Sequence, residues 1–490
     1  KNFGADEIYF LAGMESKSRF SVEAECELDS VNLCDESGNV VHTMLDDGTS
    51  GDETAGDGIY TYEWTTVSDE EQFADYHAEA GGASSNEITI YFFGELTEED
   101  NAFMQKMEET FAQIEAPYED EQGYVSIDDV DEILAEAGAY GNELLENGDA
   151  IKCEVTDSSV VLKLSSGISF VYAPSVKGAY SNGDDPVIQF QSYQPVYSWI
   201  GTITNDPENT EIPLPDGFYN QADMPMAAAE QLDDNLYNVS YSEENLHKDS
   251  DVTPESLKEF GSNQIIVWQG HGQDCGEEVG SALVTASDYD FEALKASPIS
   301  RLDYTQDLIV YVYTEEDGET KAKEAITSKY VDEYCGNLDG TYIFIGSCYG
   351  GTYGSLPWSF LHKGADAVIA FSTSVRCRYS DMMQYKTTSL LSQVNPDTGN
   401  YYKLGEALNK AKELYGYTDI EYTDGQGAYA MLFGGQDAPN YMLANEYFSG
   451  YVKVASETES AIKDAHVEIS GENRTFETVT DEEGKFVCCV

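Results

Sequence analysis

The chain has 490 residues, of which 92 are acidic and 25 basic, so its formal net charge at neutral pH is −67. This charge argues against nucleic-acid binding and against an anionic membrane surface, because both need clustered Lys and Arg, and no apolar run is long enough to span a membrane. The hydrophobic fraction of 41% excludes wholesale disorder, and at about 100–200 residues each we expect roughly three or four domains.

Residues 1–94 alternate apolar and polar side chains in short runs such as 19–24 and 87–92, separated by turns rich in Gly, Asp and Ser. This pattern predicts a β-sandwich. Within it, the loop 46–61 alternates Asp and Gly, and resembles a segment of immunoglobulin-like accessory domains of bacterial surface proteins. Oxygen ligands spaced in this way suit Ca²⁺, whereas the alternative is a structural turn with self-capping carboxylates. The predicted calcium ligands are Asp46, Asp47, Asp52 and Asp57.

Residues 95–184 change character. Apolar side chains recur at helical spacing in 101–114 and 128–145, which predicts two amphipathic helices that pack against a neighbouring domain. A hairpin with a Gly-containing turn follows within 151–184. We predict that 95–184 is a linker or pro-region.

From 185 to 445 the pattern becomes strand and helix in alternation, which predicts a mostly parallel sheet with helices on both faces. The apolar runs that predict its strands lie at 187–190, 265–268, 308–312, 342–345 and 367–371. The last segment, 446–490, alternates with period two and resembles the start of the small β-sandwich attached to metallocarboxypeptidases. The predicted fold is therefore multidomain, with a central α/β domain flanked by all-β sandwich domains.

The two chain ends and the charge suggest a secreted or cell-surface protein. Lys far outnumbers Arg and Tyr is abundant, which favours such a protein over a halophile's enzyme. Residue 1 is Lys, so we expect that a signal peptide or another upstream segment was removed. The strand-like run at 486–490 stops abruptly, so we expect a truncated final domain and a further region that attaches the protein to the cell surface.

The nine cysteines include no C-x-x-C pair and have no histidine at ligand spacing, so the sequence predicts neither a zinc site nor a disulfide-built scaffold. Cys26 and Cys34 are close enough in sequence to form a disulfide across a hairpin. The alternative is that both are free thiols. Because nine is odd, at least one thiol is unpaired, and it is a candidate for chemistry.

Two predicted strands run into small residues and then a reactive side chain. Strand 265–268 leads to His271 and Gly272, and strand 342–345 leads to Cys348. Because the carboxyl ends of parallel strands meet at one edge of a sheet, we expect these residues to lie together. An imidazole promotes the nucleophilic thiolate. Taken singly, a cysteine after a strand is more simply explained as core and a loop histidine as polar surface.

The order of these motifs resembles the caspase-like cysteine peptidases of clan CD, in style the secreted bacterial clostripain and gingipain types. Segments 360–370, 403–408 and 433–439 also look like the bacterial members, so the resemblance covers about 185–445. It implies a cysteine endopeptidase with Cys348 as nucleophile and His271 as general acid or base, working through a thioester acyl-enzyme. It also implies that the Gly272 and Cys348 amides form the oxyanion hole, and that catalysis needs no cofactor.

The predicted substrate pocket departs from the family pattern. Several relatives carry an Asp two residues before the catalytic Cys that helps bind a basic residue at substrate position P1, but here that position is Gly346. Arg376 could receive an acidic P1 residue or pair with a local carboxylate, and both alternatives stay open. The pocket residues implied by the resemblance are Gly346, Ser347, Ser372, Thr373, Ser374 and Arg376.

The partner expected from this interpretation is a peptide or protein substrate. The alternative from another functional class is a non-catalytic surface adhesin or binding protein on a caspase-like scaffold. A third possibility is a zymogen in which residues 95–184 cover the site.

Overall fold

The computed structural model describes residues 3–24, 26–120, 125–175, 186–189, 201–202, 223–235, 252–262, 265–316, 319–419, 427–443, 447–452, 460–470 and 475–489. The fold is mixed α/β and contains several separate sheets. Among the described helices, none combines the length and the apolar character that crossing a membrane requires.

Residues 3–93 form two sheets, one with the strand order β1-β3-β6 and one with the order β2-β8-β7-β4-β5. Both sheets contribute to one core, in which Phe20 packs edge-on against Trp64. The burial of β3 alternates along its length, which is the two-residue period that the sequence pattern predicts. The strands are β1 (Phe3–Ala5), β2 (Tyr9–Leu11), β3 (Glu15–Glu23), β4 (Val31–Asp35), β5 (Val40–Met44), β6 (Ile59–Val67), β7 (Gln72–Ala80) and β8 (Ala83–Phe93).

The two predicted amphipathic helices are present as α1 (Glu98–Glu115) and α2 (Val130–Asn147), preceded by a short 3-10 helix at Ile127–Asp129. The Thr97 hydroxyl accepts a hydrogen bond from the Asp100 amide and the Asp100 carboxylate accepts one from the Thr97 amide, so a capping box begins α1. Gly148 ends α2 in the left-handed conformation. Three strands follow: β9 (Ala150–Val155), β10 (Val160–Leu164) and β11 (Ser169–Tyr172).

The region from 186 to 443 supplies ten strands and nine helices among its described residues. The strands are β12 (Pro186–Gln189), β13 (Gly201–Thr202), β14 (Ile265–Gln269), β15 (Gly272–Asp274), β16 (Ser281–Asp288), β17 (Ile309–Glu316), β18 (Glu319–Thr327), β19 (Tyr342–Gly346), β20 (Ala367–Phe371) and β21 (Ala430–Phe433). The helices are α3 (Asp223–Asn235), α4 (Pro254–Leu257), α5 (Gly276–Val279), α6 (Phe291–Ala296), α7 (Pro298–Thr305), α8 (Ser328–Tyr334), α9 (Ser355–His362), α10 (Cys377–Leu390) and α11 (Leu404–Tyr415).

A six-stranded sheet with the order β13-β12-β14-β19-β20-β21 carries the predicted motifs. Only β14, β19 and β20 run parallel to one another, while β12, β13 and β21 pair antiparallel at the edges. The prediction of a mostly parallel sheet is therefore wrong outside these three strands. Hydrophobic runs do not encode strand direction, which depends on how the chain returns to the sheet.

A seven-stranded sheet with the order β15-β16-β18-β17-β11-β10-β9 lies beside it. The run at 308–312, which we assigned to the parallel sheet, belongs here as β17 and pairs antiparallel with β18. The hairpin β10–β11 joins the same sheet, because β11 pairs parallel with β17. Residues 150–172 are thus part of a sheet with the central region, whereas the sequence suggested a linker or pro-region ending at 184.

Helices cover both faces of the six-stranded sheet, as predicted. On one face Leu356 and Phe360 of α9 join a core that extends to the seven-stranded sheet and to α1 and α2. On the other face Tyr379 of α10 and Leu404 of α11 pack against the alternate residues of β14, β19 and β20. The strands are buried on both sides, which is why they read as continuous apolar runs.

A buried ion pair holds the middle of the seven-stranded sheet. The Lys163 ammonium donates to an Asp307 carboxylate oxygen at 2.6 Å and to the Thr305 carbonyl at 2.6 Å, and both charged side chains are about 3% exposed. Ser169 donates to the same Asp307 oxygen. The pair connects β10 and β11 to the segment before β17, some 140 residues further along the chain.

The last described strands are β22 (Tyr447–Tyr451), β23 (His466–Ser470), β24 (Thr475–Val479) and β25 (Lys485–Cys489). β22 pairs antiparallel with β25, and β23 pairs antiparallel with β24. Within the described residues, further short 3-10 helices lie at Lys258–Ser262, Thr352–Gly354 and Ala438–Asn440.

Candidate active site

The pairing of two parallel strands brings the His271 and Cys348 segments together. In the ladder between β14 and β19, Gln269 is the partner of Gly346. His271 and Cys348 each lie two residues beyond this last pair, so the backbone of both segments leaves the sheet at the same level. His271 is half-buried, and its carbonyl accepts a hydrogen bond from the Val284 amide of β16 at 3.0 Å.

Gly272 lies directly against the cysteine segment. A Cβ atom at this position would be 2.3 Å from the Cys348 carbonyl oxygen and 2.8 Å from the Ser347 hydroxyl oxygen. Only glycine permits this approach, because a real Cβ essentially never comes closer than about 3 Å to such atoms. The backbone after His271 is therefore in contact with the backbone of Cys348.

The Cys348 sulfur is buried between its own strand and the segment that follows β20. It receives a hydrogen bond from the Val375 amide at 3.4 Å and lies 3.4 Å from the Ser374 hydroxyl oxygen. Burial raises the pKa of the Cys348 thiol, while these two contacts oppose the rise. The Val375 amide is thus a donor already in place for a thiolate at Cys348.

The chain turns sharply after Cys348. Tyr349 adopts a left-handed conformation with φ of 57°, which costs an ordinary residue about 1–2 kcal/mol. Its amide donates to the Thr373 carbonyl at 3.2 Å, and the Gly351 amide donates to the Phe371 carbonyl at 2.8 Å. Such strain is frequent at functional sites, and here the turn is bonded to the strand end and loop at 371–373.

Two of the predicted pocket residues, Gly346 and Ser347, are fully enclosed. A Cβ on Gly346 would be 2.0 Å from the side-chain oxygen of Gln269, so the amide of Gln269 fills the space beside Gly346. This oxygen accepts a hydrogen bond from the Ser380 hydroxyl at 3.0 Å. The Ser347 hydroxyl is buried and has no hydrogen-bond partner.

Arg376 is engaged by a carboxylate of the chain itself. Its guanidinium donates to Asp419 at 2.8 Å, its backbone amide donates to the other Asp419 oxygen at 2.9 Å, and both side chains are buried. This is the arrangement in which Arg376 pairs with a local carboxylate. No local pattern pointed to Asp419, because it lies 43 residues after Arg376.

The predicted residues Ser372, Thr373 and Ser374 line a cleft of ≈ 900 Å³ together with Tyr349. The opposite wall comes from the seven-stranded sheet, and none of the lining residues is Lys or Arg. Glu154 is held by Lys152 at 3.2 Å, and burial raises the pKa of Asp274. The charged lining residues are Glu154, Asp157, Asp274 and Glu277.

The loop 46–61 brings three of its four predicted calcium ligands together. Carboxylate oxygens of Asp46, Asp52 and Asp57 lie within 4.8 Å of one another. The Asp47 carboxylate is not in this group and accepts hydrogen bonds from the amide and hydroxyl of Thr49. Backbone amides also donate to Asp46 and Asp52, so the turn is capped by its own carboxylates. Calcium binding stays a prediction.

Cys26 and Cys34 are both free thiols. The structure instead brings Cys34 together with His77 and Glu79, whose ligand atoms lie within 4.8 Å of one another. Sequence spacing gave no signal for this cluster, because 43 residues separate the cysteine from the histidine and only strand pairing joins them.

A scan against protein-family models finds no match to this chain, and a search of curated proteins finds no significant relative. The functional interpretation therefore rests on the residues and their geometry.

Proposed function

We propose that this chain is a secreted or surface-attached bacterial cysteine endopeptidase with a caspase-like central domain. The observation that carries the proposal is the shared level of His271 and Cys348 beyond the Gln269–Gly346 pair, with Gly272 against the Cys348 carbonyl. A nucleophile and a base at neighbouring strand ends are the pair that covalent catalysis uses, and Ser374, which contacts the Cys348 sulfur, lines the adjacent cleft.

The proposed reaction begins when the Cys348 sulfur attacks the carbonyl carbon of the scissile peptide bond. His271 accepts the thiol proton and then donates it to the leaving amine, which leaves a thioester on Cys348. His271 next takes a proton from water as the water oxygen bonds to the thioester carbonyl carbon. The carbon–sulfur bond then breaks, the acid product leaves, and the Cys348 thiolate takes the proton back from His271. The Gly272 and Cys348 amides stabilise the oxyanion in both steps. Thiol and imidazole suffice for these steps, so the proposal assigns no metal to catalysis.

The proposed substrates are polypeptides with basic residues near the scissile bond. The charged side chains around the cleft are carboxylates, and the net charge of the chain favours the approach of cations. Arg376, which with Arg378 is a candidate for receiving an acidic P1 residue, is already bound to Asp419. The uncharged amide of Gln269 lies beside Gly346, where the resembled family has an Asp. We therefore expect the selectivity for basic residues to come from the carboxylates that line the cleft, which are Glu154, Asp157, Asp274 and Glu277.

A panel of fluorogenic peptides with different P1 residues tests this function, with Cys348→Ala as the matched control. We expect cleavage by the parent protein and none by the variant. Part of each sample is treated by limited proteolysis before the assay, which reveals a latent enzyme. If no peptide is cleaved before or after this treatment, the alternative of a non-catalytic surface adhesin or binding protein is favoured.

Structural calcium binding by the loop 46–61 is a second proposal, and it rests on the close approach of Asp46, Asp52 and Asp57. Three carboxylates at this separation repel one another unless hydrogen bonds or a cation neutralise them. Calorimetric titration with Ca²⁺ should show a heat of binding, and a thermal melt with Ca²⁺ should give a higher melting temperature than one without it. The absence of both would leave the self-capped turn as the full explanation.

A further inference from the structure

Three side chains with different metal-binding chemistry meet on the first β unit, in a different sheet from the predicted active site. Cys34 lies on β4, and His77 and Glu79 lie on β7. One ligand atom from each lies within 4.8 Å of the other two. We call these residues the Cys–His–Glu cluster.

Strand pairing fixes the geometry of the cluster. Cys34 is directly opposite His77 in the antiparallel ladder, and the adjacent pair Leu33–Ala78 points into the sandwich core. Because side chains alternate along a strand, Cys34 and His77 point to the outer face of the five-stranded sheet, and Glu79 follows His77 on that face. The donors are thus held by rigid strands rather than by a mobile loop.

The distances and burial in the cluster suit a bound ion. The Cys34 sulfur lies 3.8 Å from a Glu79 carboxylate oxygen, and a tetrahedral zinc site separates such ligands by about 3.5 Å. Cys34 is fully buried, and the Nδ1 atom of His77 is buried without a hydrogen-bond partner. The Cys34 thiol donates a hydrogen bond to this Glu79 oxygen, and a metal ion would take the place of the thiol proton between the two groups.

We propose that Cys34, His77 and Glu79 bind a thiophilic divalent metal ion of the zinc class. Thiolate and imidazole ligands select zinc-like ions, whereas Ca²⁺ and Mg²⁺ prefer oxygen alone. The fourth position is left for water or for Glu87, which is exposed and lies opposite His77 on β8. The ion connects β4 to β7 and stabilises the sheet. Metal binding here is independent of the proposed peptidase activity.

Cobalt spectroscopy tests the proposal, because Co²⁺ replaces Zn²⁺ and a cobalt–thiolate bond gives a near-ultraviolet charge-transfer band. The full chain is reduced and used in a Cys348→Ala background, so that the predicted active-site thiol contributes nothing. We expect one equivalent of Co²⁺ to produce the band and Zn²⁺ to remove it. Oxygen-only binding at the loop 46–61 would give no such band.

Variants locate the site. Cys34→Ala should abolish the band, while Cys26→Ser, the matched control at an exposed cysteine of the same unit, should keep it. His77→Ala and Glu79→Gln, checked for folding by circular dichroism, should each weaken Co²⁺ binding by at least about 10-fold. A parent protein without the band would overturn the proposal. So would a band that survives Cys34→Ala, or unchanged Co²⁺ affinity in folded His77→Ala and Glu79→Gln variants.

Discussion

The two large sheets of the central region differ in how they are built and in what they contribute. The six-stranded sheet has three adjacent parallel strands, and its strand ends present His271 and Cys348. The seven-stranded sheet is mainly antiparallel and combines segments some 140 residues apart, which the buried Lys163–Asp307 ion pair connects. It contributes carboxylates to the cleft, which we call the acidic wall, rather than the proposed reacting groups.

In the proposed function, the six-stranded sheet therefore carries the catalytic side chains, and the seven-stranded sheet stabilises the fold and attracts the substrate. Changes at the ends of the parallel strands should reduce turnover with little loss of stability beyond the site. Changes in the seven-stranded sheet should reduce stability or alter substrate affinity.

The largest expected effect on stability is at Asp307. Replacing Asp307 by Asn leaves the Lys163 ammonium buried without its counter-charge, while Asn still tolerates the left-handed conformation found there, with φ of 62°. We expect a loss of about 3–5 kcal/mol in the free energy of unfolding, measured by urea denaturation. Glu413→Gln is the control, because its pair with Lys410 is exposed and should change stability by at most about 1 kcal/mol. Equal losses of stability in the two variants would contradict a stabilising role of the Lys163–Asp307 ion pair.

Gly272 tests the strand-end geometry. In Gly272→Ala the new methyl group would overlap the Cys348 carbonyl oxygen, so one of the two segments must shift. We expect peptidase activity to fall on the order of 100-fold, since one displaced oxyanion donor has about this effect. Gly435→Ala is the control, because a Cβ there meets nothing within 4 Å. Unchanged activity in a folded Gly272→Ala variant would argue against the proposed oxyanion hole.

Asp381 of α10 is expected to destabilise the fold at neutral pH. It is fully buried, neither carboxylate oxygen has a hydrogen-bond partner, and burial raises its pKa well above the ordinary range. Below the ordinary carboxyl pKa this carboxyl is protonated in both the folded and the unfolded state, so it does not reduce the free energy of unfolding. As the pH rises from there towards the folded-state pKa, the free energy of unfolding falls. Asp381→Asn should therefore add about 1–3 kcal/mol at pH 7, with a smaller gain near pH 4.

Urea denaturation at both pH values checks this expectation, and Asp69→Asn at an exposed position is the control. An Asp381→Asn variant that is less stable than the parent at pH 7 would contradict the expectation that the Asp381 carboxylate destabilises the fold.

The smallest expected effect concerns the acidic wall. Glu277→Gln and Asp157→Asn should raise the KM for a lysine-rich peptide roughly 3- to 10-fold with little change in kcat, because each removes a screened charge rather than a reacting group. The difference should shrink in high salt. Glu27→Gln, an exposed change in the first β unit, should leave KM unaltered. A fall in kcat instead would place this wall in the chemical step.

The contrast between the sheets also explains what the sequence could predict. Strands β14, β19 and β20 are buried on both faces, so each reads as an apolar run, and both motifs directly follow their strands. Helices α1 and α2 were predictable from their spacing. Such features depend on residues close together in the sequence, so they can be predicted from the sequence alone.

Features that depend on pairing between distant segments were not predictable. The Arg376–Asp419 pair, the Lys163–Asp307 pair and the Cys34–His77 contact each join residues at least 43 positions apart. Residues 150–172 looked like a separate hairpin because no local pattern encodes the parallel partner β17. Register and strand order arise from tertiary packing, and for this reason the sequence placed β17 in the wrong sheet.

The most direct test of the central claim is the mapping of a thiol-reactive substrate analogue by mass spectrometry. A peptidyl chloromethyl ketone with a basic P1 residue is incubated with the parent protein and with His271→Ala. The account predicts a single adduct on Cys348, protection by a cleavable peptide, and at least about 10-fold slower labelling in the variant. Cleavage of peptides without an adduct on Cys348, or equal labelling of both proteins, would contradict a Cys348–His271 active site.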